Sequence, residues 1–88
     1  MKLAKVLTKI TNEKIMLDFL ADIATPKELK AWQERLDIAL LLNEGLPYIE
    51  IAKKTAASTT TVTRVARFLK QEKFGGYRYL LKNLRKFK

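Results

Sequence analysis

Apolar residues recur three and four positions apart along almost the whole chain, and no run alternates with the period of two that a half-buried strand requires. This spacing predicts an all-α protein. Leu3, Val6, Leu7 and Ile10 mark one face of a short first helix, and Thr11 or Asn12 can cap a second whose side to be buried is Ile15, Met16, Phe19, Leu20 and Ile23. The strongest start signal is Thr25-Pro26-Lys27-Glu28. Threonine can cap, proline suits the first helical position, and a glutamate three residues on closes a capping box. The helix it opens is predicted to run to about Asn43. Its apolar set of Leu29, Trp32, Leu36 and Ile38 to Leu42 becomes too wide near the end for one buried stripe. Such a helix needs partners on more than one side, with Trp32 as a packing anchor.

Glu44-Gly45-Leu46-Pro47 breaks the chain, because glycine is favoured just past a helix end and proline cannot continue one. Two short helices separated by almost nothing follow. Gly75-Gly76 closes the second, and Tyr77 to Phe87 is predicted as a last basic helix with Tyr77, Leu80, Leu81 and Leu84 on its apolar face. About six helices in a single domain over residues 1–88 are therefore expected, with no room for a separate regulatory module. A chain of 88 residues buries a small fraction of its surface, and pairing with a second copy is one common remedy. A homodimer is expected.

Composition narrows the chemistry. Cysteine and histidine are both absent, which excludes disulfides, thiolate or imidazole metal sites and the common catalytic triads. No paired carboxylates or glycine-rich phosphate loop take their place, so neither an enzyme nor a metal protein is expected. Charges interrupt every apolar cluster, and nothing approaches the roughly 20 apolar residues of a membrane span. The start, Met1 to Ile10, lacks the uninterrupted apolar core of a signal peptide, so a cytoplasmic protein with no membrane partner is expected.

Charge changes the picture further. Residues 1–52 hold 7 basic and 8 acidic side chains, whereas residues 53–88 hold 11 basic and 1 acidic, Glu72, giving −1 and +10 of the total +9. A positive field concentrated on one part of a small protein suits a polyanion, since each neutralised phosphate releases condensed counterions. Within that part, Tyr48 to Arg67 reads YIEIAKKTAASTTTVTRVAR. Apolar Ile51, small Ala52, a turn at Thr55 to Ala57, and then Val62 and Val65 form the pattern of a helix-turn-helix over about residues 48–69. Ala52 must be small where the second helix crosses the first. Ser58 can cap that second helix, and Val62, Val65 and Leu69 hold it against the body.

What remains outward is Thr59, Thr60, Thr63, Arg64 and Arg67. Threonine can meet a thymine methyl or a base edge, and arginine can bind guanine bidentately or grip phosphate. Ser58 to Arg67 is therefore the candidate base-reading segment of a protein whose partner is double-stranded DNA. Lys53, Lys54, Lys70 and Lys73 flank it where positioning contacts to phosphate would fall. Ala56 stands where such a turn prefers glycine, at a local cost of about 1 kcal/mol.

Four stretches in this order, TPKEL (25–29), ERLDIALLLNEG (34–45), YIEIAKKTAASTTTVTRV (48–65) and GGY (75–77), resemble the Trp repressor superfamily, and more closely its YerC/YecD-type Trp-repressor-like branch. The resemblance implies an intertwined all-helical homodimer whose paired helix-turn-helix units regulate transcription at a two-fold symmetric operator, with recognition helices roughly 34 Å apart. In the tryptophan-sensing members two arginines sandwich the indole and a threonine lies nearby. Arg35, Arg64 and Thr25 occupy those positions. Val65 stands where those repressors have a glycine, and Phe68 where a serine meets the ligand's amino group. Both substitutions fill the pocket, so no tryptophan corepressor is expected, and Arg35 is expected to pair with a nearby acid. Any other small-molecule effector is left open.

Two other readings compete with a sequence-specific regulator. A nucleic-acid binder without sequence preference, on RNA or bulk DNA, could rest on the basic C-terminal helix alone. A basic protein-interaction module could dock its amphipathic start and cationic end on acidic partners or a membrane surface.

Overall fold

The computed structural model describes residues 1–71 and 74–87, and every described element is helical. The order is α1 (Leu3–Lys9), α2 (Glu13–Ile23), α3 (Pro26–Asn43), α4 (Tyr48–Thr55), α5 (Thr59–Lys70) and α6 (Gly76–Lys82), followed by a 3₁₀ turn at Leu84–Phe87. Two compact units are formed, Met1–Ala31 and Trp32–Lys88.

The first unit begins and ends its helices by local chemistry. Asn12 Oδ1 accepts the Ile15 amide at 3.0 Å, satisfying one of the orphan donors at the start of α2. At α3 the Glu28 amide donates to Thr25 Oγ1 at 3.1 Å while Glu28 Oε1 accepts the Thr25 amide at 2.9 Å, completing the capping box. These bonds, from the Thr25 backbone first and its side chain second, lower the Glu28 pKa. Their contribution is therefore present above the ordinary glutamate range and is lost as pH falls through the depressed folded value.

Burial in this unit departs from expectation. No residue of α1 or α2 is buried. Met16, Phe19 and Leu20 are half-buried, but Ile15 remains 57% exposed and Ile23 54%. Trp32, at the start of the second unit, is 44% exposed and does not anchor a core in this chain. The spacing set which sides are apolar, and within the first unit Ile15, Leu17 and Ile23 stay exposed.

The second unit owns the core. Ile38 and Ala39 of α3, Ile51 of α4, and Val62 and Val65 of α5 form one buried cluster, with Leu41, Leu42, Leu46, Ala52, Ala57, Leu69 and Tyr77 packed against it. A Schellman motif ends α3. The Gly45 amide donates to Leu42 O at 3.0 Å and the Leu46 amide to Leu41 O at 3.4 Å. Gly45 has φ of 85°, which glycine adopts without a Cβ penalty. The helix reverses there, so that α4 and α5 return onto the residues from Ile38 onward.

The chain end also differs from expectation, because α6 stops at Lys82 and the continuous helix from Tyr77 to Phe87 is not formed. The ladder stops where Asn83 leaves helical geometry, with φ of −121° and ψ of 29°, and its Nδ2 and its backbone amide both donate to Tyr79 O, at 2.8 and 3.1 Å. Likewise α5 ends at Lys70, ahead of the glycine pair, and Gly75 at φ of 72° instead begins α6.

Candidate nucleic-acid interface

The chain turns between α4 and α5 in three residues, Ala56 to Ser58, and the two helices pack directly on each other. Thr55, expected in the turn, is the last residue of α4. Ala56 takes the left-handed conformation that the sequence demanded, with φ of 59° and ψ of 15°. Thr55 supports the strained turn from both sides: its Oγ1 donates to Ile51 O at 2.8 Å and accepts the Ala57 amide at 3.3 Å. Replacing Ala56 by glycine should relieve the strain and raise stability by up to about 1 kcal/mol. A thermal melt that showed A56G unchanged or less stable than the parent would contradict this.

Ser58 caps α5 by accepting the Thr61 amide at 3.1 Å, and its hydroxyl also lies 3.0 Å from Thr61 Oγ1. This serine is thus engaged in setting the helix start. Val62, Val65 and Ala66 are buried on the inner side of α5, and half-buried Leu69 continues that stripe. Half-buried Ala52 faces the same cluster from α4. A larger side chain would push the helices apart.

The outer side of α5 carries two adjacent rows at helical spacing, Thr59-Thr63-Arg67 and Thr60-Arg64-Phe68. Thr59, Thr60, Thr63, Arg64 and Arg67 are all exposed, and with half-buried Phe68 they line one open groove of about 550 Å³. Thr63 Oγ1 donates to Thr59 O at 2.9 Å, which consumes its hydroxyl proton and leaves its methyl and lone pairs outward. Arg67 also borders a second recess of about 220 Å³ with Tyr48, Thr63, Ala66, Lys70 and Gln71. Lys70 Nζ lies 6.0 Å from the Tyr48 ring centroid, a cation–π contact between the ends of α5 and α4. Lys53 and Lys54 are exposed in the last turn of α4, where a cation complements the helix dipole. Lys73 lies outside the described residues.

Behind this face, Arg35, Thr61, Arg64, Val65, Phe68 and Tyr77 line a cavity of about 200 Å³. Arg35 and Arg64 do meet at one site. Thr25 belongs to the first unit and its hydroxyl is committed to the α3 cap. Arg35 forms no salt bridge among the described residues, contrary to the expected acid partner. Its neighbours three and four positions away are Ala31, Trp32, Ile38 and Ala39, none of them acidic. The Arg64 guanidinium carbon sits 5.5 Å from the Phe68 ring centroid, and Val65 is buried beneath. Arg64 thus contacts the chain's own Phe68 ring while it shares the cavity with Arg35.

Sequence reasoning missed the contacts of Tyr48 and Tyr77. The four-residue step from Arg64 to Phe68 was a visible signal for their stacking. Among the described residues no group of acidic side chains could hold a metal, and no described helix is long and apolar enough to cross a membrane.

Comparison with known proteins agrees with this geometry. The crystal structure of a TrpR-like protein from Eubacterium eligens ATCC 27750 is 31% identical and superposes with a TM-score of 0.88, covering 94% of this chain and 84% of that one. A Staphylococcus aureus protein, solved as a candidate Trp repressor, is 26% identical with a TM-score of 0.87, covering 94% of this chain and 82% of its own. YerC of Bacillus subtilis (strain 168) is 41% identical over 51 residues, 58% of this chain. The matched stretch spans about half of that relative, 49% of its length. The profile of the Trp repressor protein family matches residues 1–85, and this chain belongs to that family.

Proposed function

We propose that the protein is a sequence-specific transcriptional regulator, acting as a repressor, that binds double-stranded DNA as a homodimer. The single observation that carries this reading is the outer side of α5. Thr59, Thr60, Thr63, Arg64 and Arg67 share one open groove on a helix whose opposite side is locked into the core. Those residues are assigned to the major groove, with Arg64 as the base-reading arginine and Thr60 and Thr63 against thymine methyls or base edges. Ser58 contributes by fixing the N-terminus of the helix, whose free amides favour an anion. Lys53, Lys54 and Lys70 are assigned to backbone phosphates.

The dimer follows from what one copy leaves uncovered. Ile15, Leu17, Ile23 and Trp32 are each 44–57% exposed. Fully burying an aliphatic side chain of this size contributes roughly 1.5–3 kcal/mol, so a second copy that covers them stabilises both. The 88 residues are then one helical DNA-binding domain completed by its twin. Tryptophan is not assigned as corepressor, since the Phe68 ring already lies against Arg64 and Val65 narrows the cavity beside it. A cytoplasmic location accompanies this reading.

The competing reading, binding without sequence preference, is favoured by the cations Arg78, Lys82, Arg85 and Lys86 at the chain end, all exposed. Salt separates the two. Titration of duplexes from 50 mM salt upward should show steep weakening on all sequences, about one decade per tenfold salt for each phosphate contact. A preference for one site should survive at the upper end. Loss of every preference there would favour the competing reading.

A further inference from the structure

Arg64 is an exposed side chain on the groove-lining row, yet it also borders the cavity behind that row. What lies between the two is the ring of Phe68, one helical turn further along α5, with the Arg64 guanidinium 5.5 Å from its centroid. Phe68 is itself fixed. It is half-buried, lines the cavity with Tyr77 and Val65, and borders a further recess with Phe74, Gly75, Gly76 and Tyr77. An anchored ring thus supports a long, many-rotamer cation on the outer face.

We propose that Phe68 is a positioning residue for Arg64: it holds the guanidinium in its reading orientation, so the DNA-binding face is complete without a small aromatic ligand. The proposal rests on the reading of α5 as the recognition helix. A guanidinium is planar and stacks on aromatic faces, within the roughly 6 Å over which the ring quadrupole attracts a cation. Holding it before DNA arrives removes part of the ordering cost that association otherwise incurs. The aromatic surface beneath Arg64 is covalently part of the helix. No bound aromatic ligand is then needed to support this arginine.

Two measurements on the full-length protein test this. In the free protein, the Arg64 side-chain protons should show upfield ring-current shifts by NMR, present in the wild type and in Phe68→Tyr and lost in Phe68→Leu. Leucine keeps an apolar filling, so the comparison does not hinge on a cavity, and a circular dichroism melt confirms that each variant is folded. On DNA, Phe68→Leu should lose roughly three- to tenfold in preference for the selected site over random duplex, and Phe68→Tyr should restore it. In the Arg64→Ala background Phe68→Leu should cost nothing further, because the residue acts through the arginine. Unshifted Arg64 protons in the wild type, full preference in a folded Phe68→Leu, or an additive loss on top of Arg64→Ala would overturn the proposal. A wild type with shifted Arg64 protons but no preference among duplexes would instead overturn the functional reading and leave the positioning role standing.

Discussion

Replacing Arg64 by alanine should weaken binding to the preferred duplex by roughly 10- to 100-fold, the equivalent of about 1–3 kcal/mol, while random duplex loses only the share due to one positive charge. The expectation follows from position. Arg64 lies in the row Thr60-Arg64-Phe68, exposed and lining the groove on α5, so its removal would delete the proposed base contact without removing a buried side chain. Lys53→Ala and Lys54→Ala provide the contrast. Those side chains sit on α4, off the reading face, and should weaken both duplexes about equally, each lowering the salt slope by about 1. Fluorescence anisotropy with the two duplexes checks both. An Arg64→Ala protein that lost the same factor on each duplex would place this arginine on phosphate.

The second large effect is on stability. Ile51 is fully buried, and it is the α4 residue of the cluster that also contains Ile38, Ala39, Val62 and Val65. Truncation to alanine removes buried methylenes and leaves a cavity among α3, α4 and α5, at a cost of about 2–5 kcal/mol. For a domain of this size each kcal/mol moves the melting temperature by roughly 4–8 °C. Ile51→Ala should therefore melt on the order of 10 °C or more below the parent and bind both duplexes poorly at growth temperature, since α5 loses the surface that holds it. Ile49, two residues away and 65% exposed, is the control, and Ile49→Ala should stay within about 0.5 kcal/mol. Equal melting temperatures for the two variants would show that α4 does not support α5.

Which parts of this were legible in the chain depends on the range of the forces involved. The Thr25–Glu28 capping box and the Gly45 reversal are settled by residues three to five apart, and both formed as the residues specify. Ala56 was legible for the same reason, because a tight turn between two helices demands a left-handed residue whatever occupies it. The helix-turn-helix was legible because its inner stripe, Val62, Val65 and Leu69, and its outer rows follow one period. Ile15, Ile23 and Trp32 show the limit. Periodicity tells which side of a helix is apolar and is silent on whether the same chain covers it. The stop at Asn83 was hidden because an asparagine can extend a helix or bond to its own backbone, and packing around the chain end decides. Arg35 was expected to pair with an acid because Val65 and Phe68 left no ligand for it to hold, whereas its place on α3 offers no acid one turn away.

Phe68 illustrates a different gap. The sequence showed a large ring beside two arginines and implied a filled pocket. The four-residue step placed the ring one turn from Arg64, and the fold adds that it lines both the cavity and the groove.

The measurement that bears most directly on the central claim, that two copies present the α5 face to successive major grooves, is enrichment of random duplexes on the purified protein followed by sequencing. A two-fold symmetric motif is expected, with half-sites centred about 10–10.5 base pairs apart and at least one fixed guanine in each. A pool with no common sequence, or a single half-site without a symmetric mate, would contradict it.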